Sequence, residues 1–225
     1  MENINGFKHK NLSSKVAEHL KKEIFLKKYE SGERILESEV SRELNISRAP
    51  VREAIKELQN QGLVKTIPRK GSFVVDFTEG DIKEIYEIRI VLESRIFKKL
   101  IEENILVESD YENLTKIVDD MIDIAKSKEK FNYKIINMNK KDIAFHSYLW
   151  DKSGKRWTLN ILKTLHSQLK FAMIVDLNLE EDLIKSAGKH YEIIETLRTR
   201  NYEKSIKYLS EHIVNYNKEL MGKLV

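Results

Sequence analysis

Asn45-Ile46-Ser47-Arg48-Ala49-Pro50-Val51-Arg52 reads as the entry into a helix. Its proline falls in the first helical turn, where a missing N–H does no harm. Ser47 is the predicted N-cap and Gly62 the stop, which gives a helix over Arg48–Gln61 with Val51, Ile55 and Leu58 on its buried stripe. Upstream, a short helix is predicted over Glu37–Leu44, preceded by a turn at Tyr29-Glu30-Ser31-Gly32-Glu33. Before that turn, Val16, Leu20 and Ile24 mark one apolar face of a first helix. Downstream, Leu63–Ile67 and Ser72–Val75 are predicted strands joined by Pro68-Arg69-Lys70-Gly71, a hairpin with a basic tip. Helix, short helix, tight turn, helix and two-stranded wing together form an arrangement that enters the major groove of double-stranded DNA.

The chemistry of the stretch agrees with that arrangement. Ser47, Arg48 and Ala49 stand at the amino end of the third helix, where unpaired N–H groups and the helix dipole favour phosphate. Arg48 and Arg52 are spaced i, i+4 and share a face. One suits a bidentate contact to guanine while the other clamps the backbone. Arg69 and Lys70 on the wing tip reach an adjacent groove or phosphate. Residues 1–77 carry 15 Lys and Arg against 11 Asp and Glu, a net of +4, and the remainder carries 25 of each, so the whole excess of +4 lies in the first third. An anionic partner is expected there.

After Asp76-Phe77 the texture changes. Residues 78–225 contain no convincing strand and repeat apolar positions at helical spacing, as in Ile82, Ile85, Tyr86, Arg89, Leu92 and Ile96. The predicted fold class is mainly α: a winged helix-turn-helix over residues 1–77, then an antiparallel bundle of six or seven helices over residues 78–225. Cysteine is absent, which excludes disulfides and thiolate metal sites. No apolar run approaches the roughly 20 residues that span a bilayer, and no signal-peptide pattern opens the chain. A cytoplasmic protein without a membrane partner is expected.

Three of the six histidines sit at informative spacings. Asp142 and His146 are i, i+4 and share a helix face. His190 and His212 each lie 11 residues from Asn201, a predicted helix–helix turn. At 1.5 Å per residue both imidazoles stand roughly 16 Å from that turn, at equal height in an antiparallel hairpin. Two readings stay open: an Asp plus three His metal site, or histidines that are separately hydrogen-bonded in a core. The ligand types suit zinc, with nickel, manganese or iron(II) as alternatives. His9, His19 and His166 are read as ordinary.

The run Leu36-Glu37-Ser38-Glu39-Val40, Ile46 to Ile55, Leu58, Gly62-Leu63-Val64 and Gly71-Ser72-Phe73-Val74 resembles the N-terminal domain of GntR-type regulators, over roughly residues 12–76. Ser31-Gly32 departs from that pattern, which usually has a proline before the glycine. The resemblance implies that Ser47, Arg48, Ala49 and Arg52 face an operator, with Gly71 and its neighbours on the wing and Arg34 on phosphate. Residues 80–220 look like the ligand-sensing FCD domain of the FadR-like branch, through Asp142-Ile143-Ala144-Phe145-His146, Ser153-Gly154, His190 and His212-Ile213. This implies Asp142, His146, His190 and His212 as ligands of a divalent metal, and Arg89 as a partner of an effector carboxylate. Lys155 and Arg200-Asn201 stand where the family often has Asn and Gly-Asp.

The expected mechanism is a homodimer on a palindromic operator whose half-site spacing responds to a small organic carboxylate bound in the bundle. Two rivals are carried beside it. A metal-dependent hydrolase or isomerase would need a general base beside the metal, and the sequence offers no further carboxylate at a telling spacing. A helical interaction module would use the histidines structurally.

Overall fold

Residues 4–26, 28–76, 78–177 and 182–214 are described in a computed structural model, with side chains from residue 12 except 79, 166, 167, 169–177 and 214. The chain divides into two units, Met1–Thr78 and Glu79–Val225.

In the first unit, α1 (Ile4–Phe25), β1 (Arg34–Ile35), α2 (Glu37–Glu43), α3 (Arg48–Asn60), β2 (Val64–Ile67) and β3 (Gly71–Val74) follow in order. The core forms where α1 meets α3. Val16, Ala17, Leu20 and Ile24 of α1 are buried, as are Val51, Ala54, Ile55 and Leu58 of α3. Burying each Val, Leu or Ile here contributes about 1.5–3 kcal/mol. Ser47 occupies the N-cap position of α3, but its hydroxyl makes no capping hydrogen bond. Gly62 ends that helix at φ 70°, a left-handed conformation that glycine adopts without strain.

The wing is a three-stranded antiparallel sheet of order β1-β3-β2, not the two-stranded ribbon expected. β1 pairs with β3 through Arg34 opposite Phe73 and Ile35 opposite Ser72. β2 pairs with β3 from Val64 opposite Val74 to Ile67 opposite Gly71. The added strand ties the residues before α2 to the wing, and so carries Arg34 to the wing's basic end.

The second unit contains six helices among its described residues and no strand: α4 (Glu79–Glu102), α5 (Glu108–Lys126), α6 (Phe131–Lys152), α7 (Arg156–Leu177), α8 (Leu183–Arg198) and α9 (Tyr202–Val214). α5 packs on α6 and α8, while α4 packs on α6, α7, α8 and α9. The buried stripe of α4 runs through Ile82, Ile85, Tyr86, Arg89, Glu93, Ile96, Phe97 and Leu100. Glu93, rather than the expected Leu92, continues that stripe into the bundle. α8 and α9 form the expected hairpin, turning through Arg200 at φ 55°. The Asn201 Oδ1 accepts a hydrogen bond from the Lys204 N–H at 3.0 Å, which starts α9. No helix among the described residues is long and apolar enough to cross a membrane.

Candidate metal centre and nucleic-acid face

Three helices bring the four candidate ligands together. Asp142 and His146 come from α6, His190 from α8 and His212 from α9, all buried. One ligand atom from each lies within 4.8 Å of all the others. His190 Nε2 is 3.0 Å and His212 Nε2 3.2 Å from the same Asp142 Oδ1. His146 Nε2 stands 3.2 Å from His212 Nε2 and 3.9 Å from Asp142 Oδ2. Phe145 closes one side, meeting the rings of His146 and His190 edge-on at 5.3 and 4.7 Å between centroids.

The hydrogen bonds on the far side of two rings settle their tautomers. His146 Nδ1 faces the Glu93 Oε2 at 2.7 Å, and His190 Nδ1 faces the Ala187 carbonyl at 3.0 Å. Both acceptors require a ring proton on Nδ1, so each ring in its neutral form presents a lone pair at Nε2. In that form His190 Nε2 aims a lone pair at a carboxylate oxygen, and His146 Nε2 aims one at another imidazole. Such contacts repel unless a cation lies between them. The separations of 3.0–3.2 Å also match the spacing of neighbouring ligands around an ion bonded at about 2.1 Å. The donor set therefore fits a divalent metal.

Electrostatics point the same way. Arg89 on α4 donates from Nε to Glu93 Oε1 at 2.5 Å, and its Nη2 is 3.8 Å from Asp142 Oδ2. Burial works against the Glu93 charge, yet the His146 ring and the Arg89 guanidinium hold its carboxyl down to about 2. Burial likewise opposes ionisation of Asp142; positive charge at His146 and hydrogen bonds from His190 and His212, available when these rings carry a second proton, hold it well below the usual carboxylate range, and a metal ion in the same place would act in the same direction. Burial, reinforced by His190, pushes the His212 imidazole down to about 3. Arg89, Glu93 and Asp142 together carry a charge of −1, which is costly to bury without a counter-cation.

The second cluster lies on the first unit. Ser47, Arg48, Ala49 and Arg52 are exposed along the start of α3. Arg34, Arg69 and Lys70 are exposed at the wing. The Arg34 guanidinium lies over Gly71, so close that a Cβ on Gly71 would stand 2.7 Å from its Nε. Thr66 and Ser72 link β2 to β3 through their hydroxyls at 3.0 Å, and Thr66 donates to Gln59 Oε1 at the end of α3.

Residues 12–74 match the bacterial regulatory proteins of the gntR family. Residues 84–215 match the FCD domain. An HTH-type transcriptional regulator of Bacillus subtilis, YdhC, is 31% identical over 195 residues, which is 86% of this chain and 84% of that protein. The chain belongs to the GntR family and carries an FCD domain. Among other relatives of this GntR regulator, the gluconate operon transcriptional repressor of Bacillus subtilis is 29% identical over 203 residues, 88% of this chain and 80% of the repressor. The solved structure of E. coli McbR/YncC shares its fold, with a TM-score of 0.72 at 18% identity over 95% of this chain and 99% of that one.

This GntR regulator is a DNA-binding transcription regulator and not an enzyme, as its family and relatives are. Two features of its sites went unread in the sequence. A buttressing carboxylate does exist: Glu93, one turn after Arg89 on α4. The i, i+4 spacing of Arg89 and Glu93 was its signal, but such a pair ordinarily marks a solvated surface. Arg52 is the second, since its guanidinium is already paired with Glu37. His19 is half-buried in the first unit and is not a member of the cluster, while the side chains of His9 and His166 lie outside the described residues.

Proposed function

We propose that this GntR-family regulator is a cytoplasmic homodimer that binds a palindromic operator and changes affinity when a small organic carboxylate enters its helical bundle. The observation that carries the sensing half is the convergence of three imidazole Nε2 atoms on the Asp142 carboxylate. Asp142, His146, His190 and His212 would hold the metal, with zinc as the first choice and nickel, manganese or iron(II) as alternatives. When bound, that ion supplies a Lewis-acidic seat for a carboxylate oxygen. Glu93 orients His146, and the Ala187 carbonyl orients His190. Arg89 is assigned to the effector carboxylate from its place beside Asp142.

Charge sets the kind of effector. The buried charge of −1 becomes +1 with a divalent ion, so a monoanion restores neutrality. Gluconate, which names the operon of a relative, is a monocarboxylate and the first ligand to try. The DNA-facing half is assigned to Ser47, Arg48, Ala49 and Arg52 on α3, with Arg34, Arg69, Lys70 and Gly71 on the wing. Its support is the exposure of all of these but the half-buried Gly71, the uncapped start of α3 and the local excess of positive charge. Val91 on α4 and Trp157 on α7 are 62% and 72% exposed on helices that pack together, which supports a second copy of the chain covering them.

The test is elemental analysis of the purified protein, followed by thermal melts of metal-loaded protein with monocarboxylates. We expect bound metal, and a ligand at 100 times its Kd that stabilises by about 2.7 kcal/mol. The joint variant His190→Ala, His212→Ala should lose both responses. Metal-free protein whose joint variant still binds the carboxylate would sink the reading and leave the histidines a structural role.

A further inference from the structure

The Arg52 guanidinium is held before DNA arrives. Its Nε donates to Glu37 Oε1 at 3.1 Å and to Oε2 at 3.2 Å, and its Nη2 donates to Oε2 at 3.0 Å. Glu37 is the first residue of α2 and Arg52 lies in the second turn of α3, so the pair bridges the two helices of the helix-turn-helix. Both side chains reach solvent, with relative exposures of 32% and 59%. An exposed pair of this kind adds little to folding stability, so stability does not account for it.

Its geometry does have a use. A guanidinium carries five N–H donors in a rigid plane. Glu37 takes the Nε–H edge and one side of Nη2. The Nη1 and remaining Nη2 protons stay at the far end, a two-pronged edge that matches O6 and N7 of guanine in the major groove. Glu37 also cancels the net charge of Arg52, which weakens its pull on phosphate while leaving its hydrogen-bond pattern intact. Arg48, one turn earlier on the same face, has no ion pair among the described residues and keeps its full charge.

We propose that Glu37 is a positioning residue that presents Arg52 to a guanine, leaving Arg48 to the phosphates. This rests on α3 being the helix that faces the operator.

The experiment selects binding sites from a randomised duplex library with full-length protein, comparing wild type with E37Q, E37D, R52A, R48A and the double variant E37Q/R52A. Affinities are then measured on the selected duplex, on the same duplex with each guanine replaced, and on unrelated duplex. We expect one guanine per half-site whose preference vanishes in R52A and falls about tenfold in E37Q, within the range of one bidentate contact. Binding of E37Q to unrelated duplex should hold or rise, because a negative charge has been removed beside DNA. In the R52A background, E37Q should change discrimination no further, while E37D should restore part of it in the presence of Arg52. R48A should weaken all duplexes alike and reduce the salt slope by about one. Undiminished discrimination in E37Q, or a uniform loss on every duplex, overturns the positioning role even where R52A loses its guanine. A selected motif that R52A leaves unchanged overturns the placement of Arg52 itself, and with it this proposal.

Discussion

Replacing Glu93 with glutamine removes a charge from the floor of the Asp/His cluster while keeping the side chain's size. Glu93 accepts from His146 Nδ1 at 2.7 Å and from Arg89 Nε at 2.5 Å, and none of the three side chains is more than 3% exposed. Breaking one partner of a buried ion pair costs about 3–5 kcal/mol. The glutamine carbonyl still accepts one of the two bonds, so the expected loss is near the low end, about 3 kcal/mol. For a unit of this size that lowers the melting temperature of metal-free protein by roughly 6–12 °C. Metal affinity should fall about 10- to 100-fold, because His146 loses the carboxylate that fixes its ring and raises its basicity. Calorimetric melts of the apo protein and zinc competition against a fluorescent chelator read the two effects separately. A lowered melt with unchanged metal affinity would refute His146 as a ligand. Unchanged values in both assays would refute the role given to Glu93.

Acidification gives a second test on metal-free protein. Burial lowers the pKa of both His146 and His212, the latter to about 3. The unfolded chain protonates these rings below about 6.5 while the folded chain keeps them neutral, so stability should fall with pH from there at up to about 1.4 kcal/mol per unit per ring. A melting temperature that stays flat from pH 7 to 5 contradicts this. Gly71→Ala puts a Cβ at φ 110° against Arg34, and should destabilise the winged unit by about 1–3 kcal/mol while weakening DNA binding with a shallower salt dependence. Anisotropy titrations across salt concentrations check it, and an unaltered slope would separate Arg34 from the phosphates. Asn139 is fully buried with neither side-chain polar atom hydrogen-bonded among the described residues. Asn139→Leu should therefore stabilise by about 1–3 kcal/mol, and a lower melting temperature would reveal a partner for that amide.

Local signals carried the parts of the molecule that local physics determines. Pro50 in a first turn, Ser47 before it and Gly62 after it bound α3 to within a residue, since each acts on its own backbone. The equal distances of His190 and His212 from Asn201 placed two rings side by side, 4.2 Å apart between centroids, because a hairpin preserves height. β1 escaped because two residues show no periodicity; Arg34 and Ile35 form a strand only through β3, nearly 40 residues later. The beginning of α1 escaped because Lys8 interrupts the four-residue spacing that joins Leu12, Val16, Leu20 and Ile24. Glu93 and Glu37 escaped for a related reason. A charged residue in a helix reads as solvated, and only a distant partner, His146 or Arg52, turns it into part of a site.

The order of the ligands along the chain carries a consequence for damage and synthesis. The winged unit is complete by Thr78, whereas the last imidazole of the cluster stands in α9. Under the proposed function, a polypeptide severed between α8 and α9 keeps every residue assigned to the operator and loses His212. Such a fragment would occupy promoters yet be deaf to the signal. A cell carrying it beside the intact gene would therefore show an interfering phenotype rather than a silent loss.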